Sequence, residues 1–255
     1  LLELIPTSAA DPELVNFLID FCENKLGKGV VIAKDTPNFI ANRIGTYSLL
    51  VVFHEMNALG LSVSEVDELT GALIGRPKSA TFRTLDLVGL DTFLHVAENV
   101  RAQTKHEEER SMFTVPDVMK ELVALGRLGE KSGKGFYEAR VKPTGEKEIL
   151  QLDLKSMQYV ARHRSVSPAA AQAKNMKSLK ERLRFLVQAQ DKGGRLIWNV
   201  IKKTCLYAAS KIPEIADDCL TVDRAMRWGV NWELGPFELW DALGVEKTAA
   251  RMEAE

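Results

Sequence analysis

Cysteine is scarce in this sequence. Cys22, Cys205 and Cys219 are the only three in 255 residues, and no C-x-x-C pair occurs. Thiols so few and so scattered imply a reducing compartment, and burial of all three is expected. Histidine is nearly as thin: His54, His95, His106 and His163 fall in no H-x-x-x-H or related spacing, so no metal site is expected. No apolar run reaches the ~20 residues of a membrane-spanning helix, and no signal peptide is visible. The formal net charge is −1, which gives no global pull toward nucleic acid. What is present, 45% hydrophobic and 27% charged residues, is ordinary for a globular protein of one large or two smaller domains, expected in the cytoplasm.

The most informative stretch is 34–60, KDTPNFIANRIGTYSLLVVFHEMNALG. It reads as one helix. Asp35 or Thr36 serves as N-cap, Pro37 takes the first helical position, and Gly60 is the stop. Ile40, Ile44, Tyr47 and Val51 make an apolar stripe. Asn42 lies opposite that stripe, with Asn38 and Gly45 a turn away. A short amide beside a glycine leaves room for another molecule to approach; an ordinary exposed Asn on a first turn has the same pattern.

Before this helix, 1–5 is a short apolar run broken only by Glu3, Asp11-Pro12 opens a helix with Leu14, Phe17, Leu18, Phe21 and Leu26 on its apolar face, and 30–33 (VVIA) reads as a buried strand. Such a strand–helix–strand unit cannot close an α/β sheet alone, and the first residue is Leu rather than Met, so a fragment lacking its upstream sheet is expected. Glu3 is a carboxylate in an apolar strand. It needs a partner unless it faces outward on an edge strand.

After it, Ser62 and Glu65 form a capping box whose helix runs to about 74. Helices are expected at 81–88, 91–103 and 116–125, and the charge run 105–110 as a solvated loop. Residues 129–137 (GEKSGKGFY) invite a phosphate-loop reading. It fails, because Lys134 is followed by Gly135 rather than Ser or Thr and no strand precedes it. A hairpin follows about 143–145. The segment 162–184 carries seven Lys or Arg and one acid; it begins as a linker at Ser165-Val166-Ser167-Pro168 and becomes helical, and a solvated helix face or a domain-spanning linker is expected rather than an anion-binding patch. Phe82-x-x-x-Asp86-x-x-Gly89 returns 155 positions later as Phe237-x-x-x-Asp241-x-x-Gly244, and Val66-Asp67 returns as Val222-Asp223. Two homologous helical domains in tandem are therefore expected. Gly194 stands where the first has Asn42, so the first is read as substrate-facing and the second as structural.

Asp35-Thr36-Pro37-Asn38-Phe39-Ile40-Ala41-Asn42-Arg43 resembles the D-x-P-G-F-x-x-N-R signature of the 3-hydroxyacyl-CoA dehydrogenases, with Asn38 where glycine is usual. Gly129 to Tyr137 resembles that family's G-x-K-x-G-x-G-F-Y tail. The resemblance implies a mainly α fold: residues 1–34 as the remnant of a truncated NAD-binding Rossmann domain, 35–140 as the first helical dehydrogenase domain, 141–184 as hairpin and linker, and 185–255 as a second, degenerate repeat. It implies paired helical domains, as single-domain relatives pair them between subunits. Linking the partners gives an effective concentration on the order of millimolar. It assigns Glu3 to orienting a catalytic imidazole and Asn42 to contacting the acyl substrate, with Asn38 and Phe39 in the substrate site and Lys34 on the cofactor side. The implied reaction is oxidation of 3-hydroxyacyl-CoA to 3-ketoacyl-CoA with NAD in fatty-acid β-oxidation. The histidine base and the Gly-rich dinucleotide loop would lie before residue 1, so this fragment alone should be inactive. Implied partners are an acyl-CoA substrate and the missing NAD-binding domain; a hydratase domain in the same polypeptide and a homo-oligomer are compatible with it. The alternatives are a non-enzymatic helical assembly or dimerisation module, and a dehydrogenase of hydroxy acids or sugar acids.

Overall fold

The computed structural model describes residues 1–163 and 167–255, so Ser165-Val166 of the expected linker lie outside the described residues, whereas Ser167 and Pro168 open a helix instead, Ser167 as its cap. In chain order the elements are β1 (Leu2–Leu4), α1 (Pro12–Asp20) prolonged by a π-helical turn (Phe21–Lys25), β2 (Val30–Ile32), α2 (Ala41–Leu59), α3 (Val63–Thr70), a 3-10 turn (Ala72–Ile74), α4 (Phe82–Val88), α5 (Leu90–Gln103), α6 (Glu107–Met112) and α7 (Asp117–Ala124). A second 3-10 turn (Glu130–Ser132) leads to β3 (Tyr137–Val141), β4 (Lys147–Leu152), β5 (Tyr159–Ala161), α8 (Pro168–Ala173), α9 (Leu179–Leu186), α10 (Lys192–Ser210), α11 (Cys219–Val230), α12 (Pro236–Leu243) and α13 (Val245–Ala254). The chain is mainly helical, as expected. It forms two compact units, 1–47 with 201–255, and 48–200.

In the first unit β1 and β2 pair in parallel, with Glu3 opposite Val31. Parallel neighbours need a crossover, and α1 supplies it. Asp11 caps α1 by accepting from the Glu13 amide at 2.9 Å, with Pro12 in the first turn. The apolar stripe of α1 stays exposed at Leu14, Phe17 and Leu26, each more than half accessible. Helix α11 comes close to the strand pair because glycine stands at both points of approach. A Cβ on Gly29 would lie 2.4 Å from the Trp228 ring, and one on Gly229 2.7 Å from Leu1.

The second unit packs around Phe53, Phe82 and Phe136, whose ring centroids lie 4.6–6.3 Å apart in tilted or edge-on contacts. Strands β3, β4 and β5 form an antiparallel sheet; β5 is too short for its pattern to show in the sequence. The Ser62–Glu65 capping box is present. Its helix ends at Thr70, earlier than expected, and the chain turns through Ala72–Ile74 instead. The charge run 105–110 is a second correction. It enters α6, because three successive glutamates suit the positive end of a helix dipole. In the basic segment, Arg182 donates to the Leu73 and Ala72 carbonyls at 2.6 and 3.1 Å, which closes the 3-10 turn. Cys22 and Cys205 are buried, but Cys219 is exposed at the start of α11, contrary to the expectation of three buried thiols.

Within each unit the repeated residues do the same work. Asp67 accepts the amides of Thr81, Phe82 and Arg83 at 2.7–3.1 Å and so caps α4. Asp223 accepts those of Phe237 and Glu238 at 2.8 and 3.0 Å and caps α12. Gly89 and Gly244 both take φ +95° between consecutive helices. The two stretches differ at the aspartate between these positions. Asp86 accepts the amides of Phe136 and Tyr137 at 2.8 and 2.9 Å, holding the 129–137 tail on α4, whereas Asp241 is exposed.

Burial outweighs these hydrogen bonds and pushes Asp67, Asp86 and Asp223 each from 3.8 up to about 6. A folded-state acid with a raised pKa binds more protons than the unfolded chain does between these values. Each group therefore makes stability fall as pH rises from about 4 to 6, by up to about 1 kcal/mol per pH unit. Asp86→Asn removes one such slope. In urea unfolding, the stability difference between the original chain and this variant is expected to be larger at pH 5 than at pH 7. A difference independent of pH would show that the carboxyl keeps its ordinary value.

Candidate functional site

The site residues converge on the N-terminus of α2. A helix start leaves backbone N–H groups without partners, and a carboxylate there satisfies them and complements the helix dipole. Glu3 does this from β1. Its Oε2 accepts from the Ile40 amide at 3.0 Å and its Oε1 from the Ala41 amide at 2.9 Å. The strand carboxylate thus has its partner, and that partner is backbone. Asn42 follows directly, exposed on the first turn. Expected residues 39 positions apart are thereby brought to one helix end.

Local geometry there corrects the expected helix start. Pro37 is not the first helical residue; α2 begins at Ala41, and 37–40 form a turn. Asn38 and Phe39 take φ +60° and +51°, in the left-handed region where L side chains are crowded. This accounts for the departure from the signature: the position where glycine is usual needs positive φ, and asparagine tolerates it better than most residues. Asn38 and Phe39 are half-buried. Lys34 precedes the turn, with its Nζ 2.5 Å from Asp217 Oδ1 and its backbone N–H on the Ile215 carbonyl at 3.1 Å.

A buried charge just past the turn was not singled out from sequence. Arg43, 1% exposed, donates from Nε to the Tyr207 hydroxyl at 3.0 Å and from a terminal nitrogen to Glu214 Oε1 at 2.7 Å. Tyr207 stacks on Tyr47 with centroids 4.0 Å apart. The only signal was the N-R pair of the signature; its partners lie more than 160 positions away.

A cleft of about 550 Å³ in the second unit, lined among others by Lys78, Arg83, Lys134, Tyr137 and Arg162, contains none of the expected site residues. The helix end, with its convergent polar groups, is the better candidate for chemistry. Among the described residues no three His, Cys, Asp or Glu side chains gather to hold a metal ion, and no helix is long and apolar enough to cross a membrane.

The chain is 51% identical over 99% of its length to a probable 3-hydroxyacyl-CoA dehydrogenase of Bacillus subtilis. It belongs to the 3-hydroxyacyl-CoA dehydrogenase family. Residues 39–139 match that family's C-terminal domain. A putative fatty acid oxidation complex trifunctional enzyme of Rickettsia prowazekii is 26% identical over 94% of the chain. The chain spans 31% and 32% of these two relatives. The crystal structure of 3-hydroxybutyryl-CoA dehydrogenase from Escherichia coli superposes with a TM-score of 0.61 at 23% identity, covering 96% of this chain and 61% of that one, a likeness of fold.

Proposed function

We propose that the longer protein to which this dehydrogenase-family chain belongs oxidises a 3-hydroxyacyl-CoA to the 3-ketoacyl-CoA in fatty-acid β-oxidation, with NAD as acceptor. The observation that carries this reading is the meeting of Glu3, Asn38, Phe39 and Asn42 at one helix end. Each Glu3 oxygen has one amide on it and retains a lone pair. One of these would accept the N–H of an imidazole whose other nitrogen takes the substrate's hydroxyl proton. Asn42 would donate its amide to the acyl thioester carbonyl and fix the carbon that loses hydride. Asn42, exposed on the first turn of α2 between the buried Ala41 and Arg43, suits a substrate arriving from outside this chain.

Among the described residues, the parallel strand pair does not carry a dinucleotide loop. The β1–α1 turn, 5–11, contains no glycine, and Asp11 fills the end of α1 where a pyrophosphate would sit. Cofactor binding is therefore assigned to another part of the longer polypeptide. The proposed contact of Lys34 with it would be shared with Asp217. We also assign the two helical repeats a common origin, supported by the matching roles of Asp67 and Asp223.

The test is NADH formation. The longer protein should reduce NAD with 3-hydroxybutyryl-CoA or a longer 3-hydroxyacyl-CoA at cytoplasmic pH, and this chain alone should produce none. Turnover by the isolated chain, or none by the longer protein with any chain length, would overturn the reading.

A further inference from the structure

We propose, taking the dehydrogenase reading above as given, that residues 207–217 clamp the substrate-facing turn. Tyr207, Glu214 and Asp217 then act as positioning residues, and the second repeat does more than provide scaffold.

The turn is anchored at both ends by one short stretch of chain. At its start, Lys34 gives its backbone N–H to the Ile215 carbonyl at 3.1 Å and its ammonium to Asp217 at 2.5 Å. At its end, Arg43 reaches Tyr207 at 3.0 Å and Glu214 at 2.7 Å. Between the anchors lie Asn38 and Phe39, two successive non-glycine residues at φ +60° and +51°. Such a pair is strained, and strain of this kind persists only where the surroundings over-determine it. Glu3 fixes the amides of Ile40 and Ala41 from below. The clamp fixes the two ends.

The contact at Arg43 is directional. A guanidinium is planar and presents its N–H groups in a rigid fork, so two acceptors at different angles fix its plane. Its carboxylate partner is itself held, since Lys211 donates to Glu214 Oε2 at 3.0 Å and lies 5.6 Å over the Tyr207 ring. The phenol is held by its stack on Tyr47, one turn along α2 from Arg43. Rotation of the first turn of α2 about its axis would break these contacts together. Asn42 is the neighbouring residue, so its direction is set by the same contacts.

The experiment uses the full-length protein with 3-hydroxybutyryl-CoA and NAD. Glu214→Gln and Tyr207→Phe are expected to raise KM for the acyl-CoA by about tenfold while KM for NAD stays within about twofold. Glu214→Asp, which keeps the charge, should recover part of that loss. Amide hydrogen exchange across 36–43 should speed up about tenfold in Glu214→Gln, with amides of α11 and α12 unchanged. Unchanged KM for the acyl-CoA overturns the clamp. So does a parallel shift in KM for both substrates with faster exchange throughout, which would mark a purely structural role. A protein that makes no NADH before any substitution overturns the dehydrogenase reading instead. Exchange then decides alone, and unaltered protection of 36–43 in Glu214→Gln rejects the clamp.

Discussion

With Glu3 orienting the catalytic imidazole as proposed, Glu3→Gln in the full-length protein should lower kcat for 3-hydroxyacyl-CoA oxidation by about a thousandfold. An acid that holds a catalytic imidazole in its working tautomer costs about 10⁴ when amidated in the hydrolase triads, and a dehydrogenase base carries a comparable share of its barrier. The structure adds a second reason. Both Glu3 oxygens accept backbone amides, from Ile40 and Ala41. A glutamine can offer oxygen to one of them and must turn its NH₂ toward the other. That donor-to-donor contact displaces the turn carrying Asn42. The helix end loses about 1 kcal/mol of capping as well, so melting must be measured beside the rates. The pH profile separates the two contributions. Losing a carboxylate beside the base removes a charge that favours the imidazolium, and the acid limb of kcat/KM should move to lower pH by about one unit. A capping defect alone leaves that limb in place. Asn42→Ala, which disturbs neither amide, should cost about a hundredfold in kcat/KM with the limb unmoved. Near-normal turnover in both variants would remove both residues from the site.

What could be read in the sequence was what is decided within a few residues. Asp11-Pro12 and Ser62 with Glu65 mark helix starts because the cap and its amide are two or three positions apart. The unusual carboxylate in β1 was also legible as a group needing a partner, and Asn42 was legible as an exposed residue on a first turn. The partner of Glu3 was not legible. It is a pair of amides 37 and 38 positions on, and any amide on any helix end would have looked the same in a sequence. The late start of α2 was missed although its signal was present. Glycine is usual at position 38 because φ is positive there, and a left-handed pair cannot continue a right-handed helix from Pro37. The repeated aspartates showed as spacing. Their function, closing the next helix from inside a protein core, depends on a tertiary approach that no periodicity encodes. Arg43 is the extreme case, an arginine on a mixed helix whose burial becomes visible only with Tyr207 and Glu214 beside it.

The tail motif gives the other large effect, because its three glycines are needed for three different reasons. Gly129 sits at φ +98°, and a Cβ there would lie 2.3 Å from the Asp86 carbonyl oxygen and 2.7 Å from its Cα. Both obstacles are backbone and cannot rotate away. Gly129→Ala therefore combines a glycine-only conformation with overlap against α4, and should cost about 4 kcal/mol. Gly135 has no positive φ, but its Cβ would meet Asp86 Oδ1 at 2.1 Å and the Gly129 Cα at 2.7 Å. That oxygen accepts the Phe136 amide. Gly135→Ala must push the carboxylate off the amide that seats Phe136 in the aromatic core, at a cost of about 3 kcal/mol. Gly133 takes φ +79° with nothing within 4 Å of the new atom. Gly133→Ala should cost only the left-handed penalty, about 1 kcal/mol. Urea midpoints of the three variants at one pH should follow that order. Equal losses at all three positions would mean that the tail needs flexible glycine in general, and that Asp86 does not hold it to the helix.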